Sequence, residues 1–454
     1  MPRLFPKPFV PLALLPICLV FGPAGEPAAG ADQGEADSRA GRRTPVVEVF
    51  DAWNDSVVRV TGPTVEGKGR SLEEFFDLPG KKPPESRIGG GFVLHASGYV
   101  ITNAHAAERV ISNSVTLTNG KKYPAELVAS IRDEDLALLK IEPRQPLKAV
   151  RLARSGDLLI GETVIVIAHP HGLMNTCTAG IVSAVGRGTD LSDIQGVKLH
   201  DLIQSDAGIN PGSSGGPWFN ALGDVIGVTA SKKSDAENIG FAISAATLRR
   251  VLPGMLDVHR RYGLTTGLKL PADGPCRVAE VEPDSPAAEA GIRAGDLLVK
   301  LAGEPIPTVL DFHLALVGRK PDETLPVEAV RQEEPIEDSH RLGRRPKPDG
   351  AALLREKFGL TALPLDAEKT KAMLLRVPRG VLITEVDAKF YENVEHKPAP
   401  GDVLGRVDTI RPRDPEHLGL MLEKLEPGQK VPMVFLRHKD GVATRIDMNI
   451  ALPK

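Results

Sequence analysis

Three cysteines in 454 residues cannot staple a fold, and Cys18 sits in an N-terminal apolar run. The other two, Cys177 and Cys276, fall in separate segments, so stability must come from hydrophobic cores and not from a disulfide framework. Aromatic residues make up only 4 % of the chain, too few for stacking platforms that hold nucleic-acid bases. An excess of one charge is missing too. The 56 Lys and Arg against 59 Asp and Glu leave a net charge of −3, which gives no field for a phosphate backbone and no expectation of nucleic acid as a partner. The apolar run Phe9 to Phe21 is shorter than the ~20 residues that a membrane-spanning helix needs. What is present is a soluble, globular composition, 41 % hydrophobic and 25 % charged. The length calls for about three domains at the usual ~100 to 200 residues each.

Arg3 and Lys7, the apolar run and the small residues Ala28-Ala29-Gly30-Ala31 have the order of a secretory signal over residues 1–31, followed by a linker at 32–44. A retained signal anchor is the alternative. From Thr44 to about Leu256, short β-type runs alternate with glycine and turn residues: Ser56 to Thr61, Gly91 to Leu94, Tyr99 to Thr102, Thr163 to Ala168, Asp224 to Thr229. This is an all-β barrel or sandwich pattern. Gly62 to Arg87 reads as a long surface loop, and Ala245 to Tyr262 as a short helix. Two further segments repeat one pattern of Gly-Leu strand, Val-rich strand and Gly-Asp before an apolar strand, with Arg341 to Gly350 as a solvated linker.

Chemistry is concentrated in three places. Gly212-Ser213-Ser214-Gly215-Gly216-Pro217 exposes a serine between glycines, a turn that clears side chains from a point where backbone N–H groups converge. Ser214 is the candidate nucleophile, and Gly212-Ser213-Ser214 the candidate oxyanion hole, acting through the amides of Gly212 and Ser214. A serine hydroxyl needs a base. His105, at the end of Tyr99-Val100-Ile101-Thr102-Asn103-Ala104-His105, is the candidate. Of Asp133, Glu134 and Asp135, only Asp135 heads the apolar run Leu136-Ala137-Leu138-Leu139, so it is the carboxylate expected to orient His105. The order His, Asp, Ser is that of chymotrypsin-type proteases.

These motifs resemble the HtrA/Deg family of periplasmic serine proteases, and the two C-terminal repeats resemble PDZ domains. Gly89-Gly90-Gly91-Phe92, Ala179 to Arg187 and Ile239-Gly240-Phe241-Ala242-Ile243 carry the likeness further, across nearly the whole mature chain. It implies a mainly β fold: a chymotrypsin-like double β-barrel protease domain at 45–258, a PDZ domain at 259–336, a linker at 337–352 and a divergent PDZ domain at 353–454. It also implies ATP-independent endopeptidase activity on misfolded proteins, no cofactor, and assembly from trimers. A PDZ-bearing chaperone with little proteolysis and a site-specific regulatory protease remain the alternatives.

By the same likeness Arg187 matches an arginine that relays PDZ occupancy to the active site. Ile226, Gly227, Val228 and Thr229 would line a specificity pocket that holds no acid, which favours cleavage after Val, Ala or Ile. PDZ domains capture a C-terminal carboxylate on the amides of a glycine-containing turn. The candidates are Thr266-Gly267-Leu268 and Phe358-Gly359-Leu360. The sequence departs from the family at Ser213, where Asn is usual, and at Ala104 and Ala106 around His105. His169-Pro170-His171 has no acidic or cysteine cluster to complete a metal site, so no metal is expected.

Overall fold

The computed structural model describes residues 40–63, 86–108, 110, 112–170, 173–189, 198–232, 238–366, 368, 370, 380–391, 397–439 and 442–452. The expected signal segment and most of the loop expected at Gly62 to Arg87 lie outside these residues. The described residues from Pro45 onward form one compact body, which opens with helix α1 (Pro45–Trp53).

Six antiparallel strands close the first barrel: β1 (Val57–Pro63), β2 (Ser86–His95), β3 (Tyr99–Thr102), β4 (Asn113–Thr116), β5 (Lys122–Ile131) and β6 (Leu136–Lys140), in the order β1-β2-β3-β6-β5-β4. Helix α2 (Ala104–Ala107) follows β3. Alternation along the strands explains the apolar runs. Val100, Ala137 and Leu139 join Val58, Val93 and Val115 in a cluster drawn from all six strands, the barrel interior. Their neighbours Tyr99, Ile101, Leu136 and Leu138 face the opposite way into a second cluster. A strand buried on both faces has no place for polar residues.

After the short strand β7 (Arg151–Leu152), the second barrel repeats the plan with β8 (Thr163–Ala168), β9 (Thr176–Thr189), β10 (Leu199–Ser205), β11 (Pro217–Phe219), β12 (Asp224–Lys232) and β13 (Gly240–Ser244). The pairing of β11 with both β8 and β12 closes the ring, and β7 lies parallel to β12 outside it. Val164, Val166, Trp218, Ile226 and Ala242 fill its interior. Ile165 and Ile167 point out into the cluster that also holds Tyr99 and Leu138, so the two barrels share one apolar seam. Each side chain buried there contributes roughly 1.5 to 3 kcal/mol.

The helix expected over Ala245 to Tyr262 is two helices, α3 (Ala245–Leu256) and α4 (Val258–Tyr262), broken at Asp257, which is left-handed at φ 44°. Arg249 of α3 is buried, with each of its three side-chain nitrogens engaged. Its guanidinium donates to the carbonyls of Leu152 and Ala153 and to Thr308 Oγ1, tying the barrel to the first C-terminal unit.

That unit contains helices α5 (Pro286–Glu289) and α6 (Val309–Ala315) and a four-stranded sheet centred on Leu297–Leu301 and Thr324–Arg331. It reaches beyond the expected boundary. Glu334–Arg341 pairs with Thr324–Arg331 along eight residues, and Gly343–Arg344 pairs with Leu264–Thr265. The first part of the expected linker, residues 337–341 and 343–344, is therefore sheet, and its last residues open helix Gly350–Phe358. The polar sequence of Glu334–Arg341 reflects an exposed face.

The second unit packs helices α7 (Gly350–Phe358) and α8 (Pro415–Leu422) on a five-stranded antiparallel sheet running from Leu360 to Ala451. The two units carry the same internal lock. Arg331 grips Asp296 with two bonds of 2.7 and 2.8 Å and donates to the Gly291 carbonyl. Arg437 grips Asp402 with two bonds of 2.8 Å and donates to the Lys397 carbonyl. The repeated Gly-Asp motif thus anchors a buried bidentate ion pair.

Candidate active site

Asp135 follows a single 3-10 turn, Arg132–Glu134, and takes a left-handed conformation with φ 49°, which Asp tolerates better than most residues. This geometry turns its carboxylate back onto α2. Oδ1 accepts the His105 backbone N–H at 2.9 Å, and Oδ2 lies 2.8 Å from His105 Nδ1. The Asp135 carbonyl accepts from Ala104 N–H and Asn103 Nδ2, each at 3.1 Å. An ionised carboxylate can only accept, so Nδ1 carries the hydrogen and Nε2 is left with its lone pair for a proton. The Asp135 side chain is 3 % exposed and that of His105 20 %.

Ser214 sits in a turn built from backbone. Gly212 and Gly215 have φ of 95° and 84°. Gly215 N–H donates to the Thr229 carbonyl, and Thr229 N–H to the Gly216 carbonyl, each at 2.9 Å. The turn meets the first barrel without intervening side chains: Gly90 N–H donates to the Ser214 carbonyl at 2.6 Å, and Thr102 Oγ1 to the Gly90 carbonyl at 2.7 Å. A Cβ on Gly215 would lie 2.3 Å from the Gly90 carbonyl oxygen. Only glycine fits there. A Cβ placed on Gly89 would lie 3.3 Å from the Ser214 carbonyl oxygen and 3.4 Å from Ala106 Cβ, which puts Ser214 beside the residue that follows His105.

The structure thus bonds His105 to Asp135 and brings the Ser214 turn alongside. Within the candidate oxyanion hole, Ser213 N–H is already committed to the Asn210 carbonyl at 2.9 Å. Gly212 and Ser214 have no acceptor for their amides among the described residues, which leaves these two as the available donors. The Ser213 side chain is buried, and its Oγ accepts a long bond from Asn210 N–H at 3.4 Å. The role of Thr102 escaped the sequence reading because its bond crosses to Gly90 on a neighbouring strand, and that of Asn210 because its bonds to Ser213 are made by the backbone.

Ile226, Gly227, Val228 and Thr229 are all buried. Ile226 packs in the second barrel and Val228 in the seam. Thr229 Oγ1 accepts from Trp218 Nε1 at 2.9 Å and donates to the Gly216 carbonyl at 3.0 Å, a strut beneath the nucleophile turn. Arg187 is exposed on β9, paired with Leu202 of β10.

In the first C-terminal unit, Gly267 is left-handed (φ 73°) and closely approached by Ser285, and its carbonyl accepts from Glu282 N–H. Its own N–H reaches Thr265 Oγ1 at 3.3 Å, and Leu268 N–H reaches Thr266 Oγ1 at 3.4 Å, bonds long enough to yield to a stronger acceptor. Phe358-Gly359-Leu360 has a different job. Gly359 is the left-handed cap of α7, its N–H bonded to carbonyls of that helix, and Phe358 and Leu360 are fully buried. The Phe390 ring occupies the space over Gly359, so no carboxylate can approach it. Tyr262-Gly263-Leu264, where Gly263 likewise caps α4, is its counterpart in the first unit.

His169 is fully buried. Its Nδ1 accepts from Asn175 N–H, and burial, aided by nearby Arg59, pushes its pKa down to about 4. His171 lies outside the described residues. Among those described, no cluster of three or more His, Cys, Asp or Glu could hold a metal. Cys177 and Cys276 are free thiols, and burial raises both, Cys276 to about 12, far from a reactive thiolate.

Residues 89–228 match the model of the trypsin-like peptidase domain, and 277–317 that of the PDZ domain. Three relatives carry the description "Probable periplasmic serine endoprotease DegP-like". That of Chlamydia pneumoniae is 31 % identical over 368 residues, 76 % of this chain and 71 % of the relative. That of Chlamydia trachomatis is 32 % identical over 375 residues, 78 % and 74 %. The third, from Ectopseudomonas mendocina, is 29 % identical over 426 residues, 86 % and 87 %. A solved structure described as HtrA-type protease AlgW with decapeptide covers 67 % of this chain and 99 % of its own at 25 % identity, with a TM-score of 0.40, too loose a superposition to compare residues. No helix among the described residues is long and apolar enough to cross a membrane. With the trypsin-like match, the PDZ match and relatives above 30 % identity over most of their length, the chain belongs to the HtrA/Deg family of serine endopeptidases.

Proposed function

We propose that the chain is an ATP-independent endopeptidase of the cell envelope that cuts unfolded proteins with Ser214, His105 and Asp135. Ser214 Oγ attacks the scissile carbonyl while its proton passes to His105 Nε2. The Nδ1–H stays bonded to Asp135, which steadies the imidazolium. The oxygen of the tetrahedral intermediate takes hydrogen bonds from the Gly212 and Ser214 amides. His105 then protonates the leaving amine, and water, giving its proton to His105, releases the acyl group. The observation that carries this reading is the pair of hydrogen bonds that His105 donates to the Asp135 carboxylate, beside a glycine turn with two uncommitted amides.

The first C-terminal unit supplies the peptide-binding PDZ function through Thr266-Gly267-Leu268. The second, which keeps the lock but spends Gly359 on a helix cap, serves assembly contacts within a homotrimer. Occupancy of the first unit by a peptide C-terminus is relayed to the active site through Arg187, which is exposed on β9. A secretory signal at 1–31 delivers the chain to the envelope, in keeping with relatives named as periplasmic.

Incubating the full chain with reduced, unfolded casein, with and without peptides bearing free C-termini, tests the reading. Wild type is expected to cut after Val, Ala or Ile and Ser214→Ala to cut nothing. No cleavage by wild type under any peptide, with aggregation of the casein suppressed, would leave a binding protein in its place.

A further inference from the structure

Glu108 follows α2, and Arg132 opens the turn that delivers Asp135, so each sits one short step from a triad residue. They are bonded to each other. Arg132 Nε donates to Glu108 Oε2 at 2.7 Å, and Ser130 Oγ to Glu108 Oε1 at 2.5 Å. The Glu108 side chain is 11 % exposed, so both carboxylate oxygens are engaged in a shielded place, where charge-assisted bonds are worth more than at the open surface. The pair joins the end of the base-bearing helix to the start of the acid-bearing turn.

Asp408 of the second C-terminal unit lies on the other side of Arg132, its Oδ1 3.6 Å from Arg132 NH2. Asp408 is left-handed (φ 50°) in the turn after strand Val403–Val407, and its N–H is held by the Pro432 carbonyl. It reaches Arg132 because the whole unit is docked by ion pairs: Arg413 to Glu126 at 3.1 Å, Lys424 to Asp257 at 2.8 Å, and Arg260 to Glu423.

We propose that Arg132 is a positioning residue for the His105–Asp135 pair, braced by Glu108 from within and by Asp408 from the docked C-terminal unit, so that docking of this unit raises the catalytic rate. The inference rests on the triad reading above. Arg132 touches neither substrate nor reacting atoms. It acts by fixing the distance between two segments whose side chains must meet within a hydrogen bond.

The test compares kcat and KM on a chromogenic peptide, and the rate of fluorophosphonate labelling, for the full-length chain and the variants Arg132→Met, Arg132→Lys, Asp408→Asn, Arg132→Met/Asp408→Asn and Ser214→Ala. Arg132→Met is expected to lower kcat and labelling roughly tenfold with KM unchanged, within the ~10²-fold that a 1 Å misplacement can cost. Arg132→Lys should recover part of the loss. Asp408→Asn should lower kcat about threefold, as an exposed pair allows, and have no further effect when Arg132 is already Met. Wild-type kcat in Arg132→Met, with Ser214→Ala inactive, overturns the brace and leaves the triad standing. Activity in Ser214→Ala overturns the reading on which both rest. An equal loss from Asp408→Asn in both backgrounds overturns the claim that the C-terminal unit acts through Arg132. Should Arg132→Met not fold, Asp408→Asn, 52 % exposed, carries the test alone: a fall in kcat at constant KM supports the brace, and unchanged kcat overturns it.

Discussion

The two barrels share a strand plan and an apolar seam, yet they bring opposite kinds of material to the site. The first offers side chains, with His105 and Asp135 fixed by four hydrogen bonds between two segments. The second offers backbone, a turn in which Gly212 and Gly215 bend the chain and the amides of Gly212 and Ser214 point away from internal partners. In the first barrel, function is sensitive to chemistry at constant shape. In the second it is sensitive to volume at constant chemistry.

The most severe way to break the first half is Asp135→Asn, which keeps the shape and loses the tautomer. A fall in kcat of about 10⁴ is expected with little change in unfolding midpoint, read from steady-state cleavage and denaturant titration. Gly215→Ala breaks the second half by adding one methyl that meets the Gly90 carbonyl. It should cost ~10² to 10³ in kcat, the scale of a lost oxyanion donor. If Gly215→Ala proved as harmless as a surface substitution, the contrast between the barrels would not survive.

Thr229→Val sharpens the distinction, since it removes a polar side chain of the second barrel that holds the turn from below. The buried Trp218 N–H loses its acceptor. A loss of about 1 to 3 kcal/mol in stability is expected by denaturant titration, with a smaller effect on kcat. The smallest effect concerns acid. His169 is held neutral by burial, with a folded pKa of about 4 against an ordinary 6.5, so the unfolded chain binds more protons between these values. The stability it contributes is full above about 6.5 and is lost as pH falls toward 4. His169→Asn should flatten the fall in unfolding midpoint over that window, and an unchanged slope would remove His169 from the account.

Much of this was legible in the sequence where local pattern and fold coincide. Tyr99 to Thr102 and Thr163 to Ala168 are strands with the expected limits, because residues buried on both faces leave an unbroken apolar run. His105, Asp135 and Ser214 were singled out because glycine, histidine and an acid heading an apolar strand mark their own positions, and the structure bonds the first two to each other. The strand Glu334–Arg341 was cut in two, its part from Glu337 onward read as linker, since only one of its faces is covered. Phe358-Gly359-Leu360 was misleading for a different reason: a glycine after an aromatic residue suits a helix cap as well as a carboxylate turn. Glu108, Arg132 and Asp408 left no signal, because their meeting depends on how the second C-terminal unit docks.

The central claim is that Ser214 is the nucleophile and that the first barrel activates it. Fluorophosphonate labelling followed by peptide mass mapping, on wild type and on His105→Ala, tests this most directly. A single adduct on Ser214 in wild type, lost in His105→Ala, is the predicted result. An adduct on Ser213, or labelling of Ser214 that does not depend on His105, would contradict it.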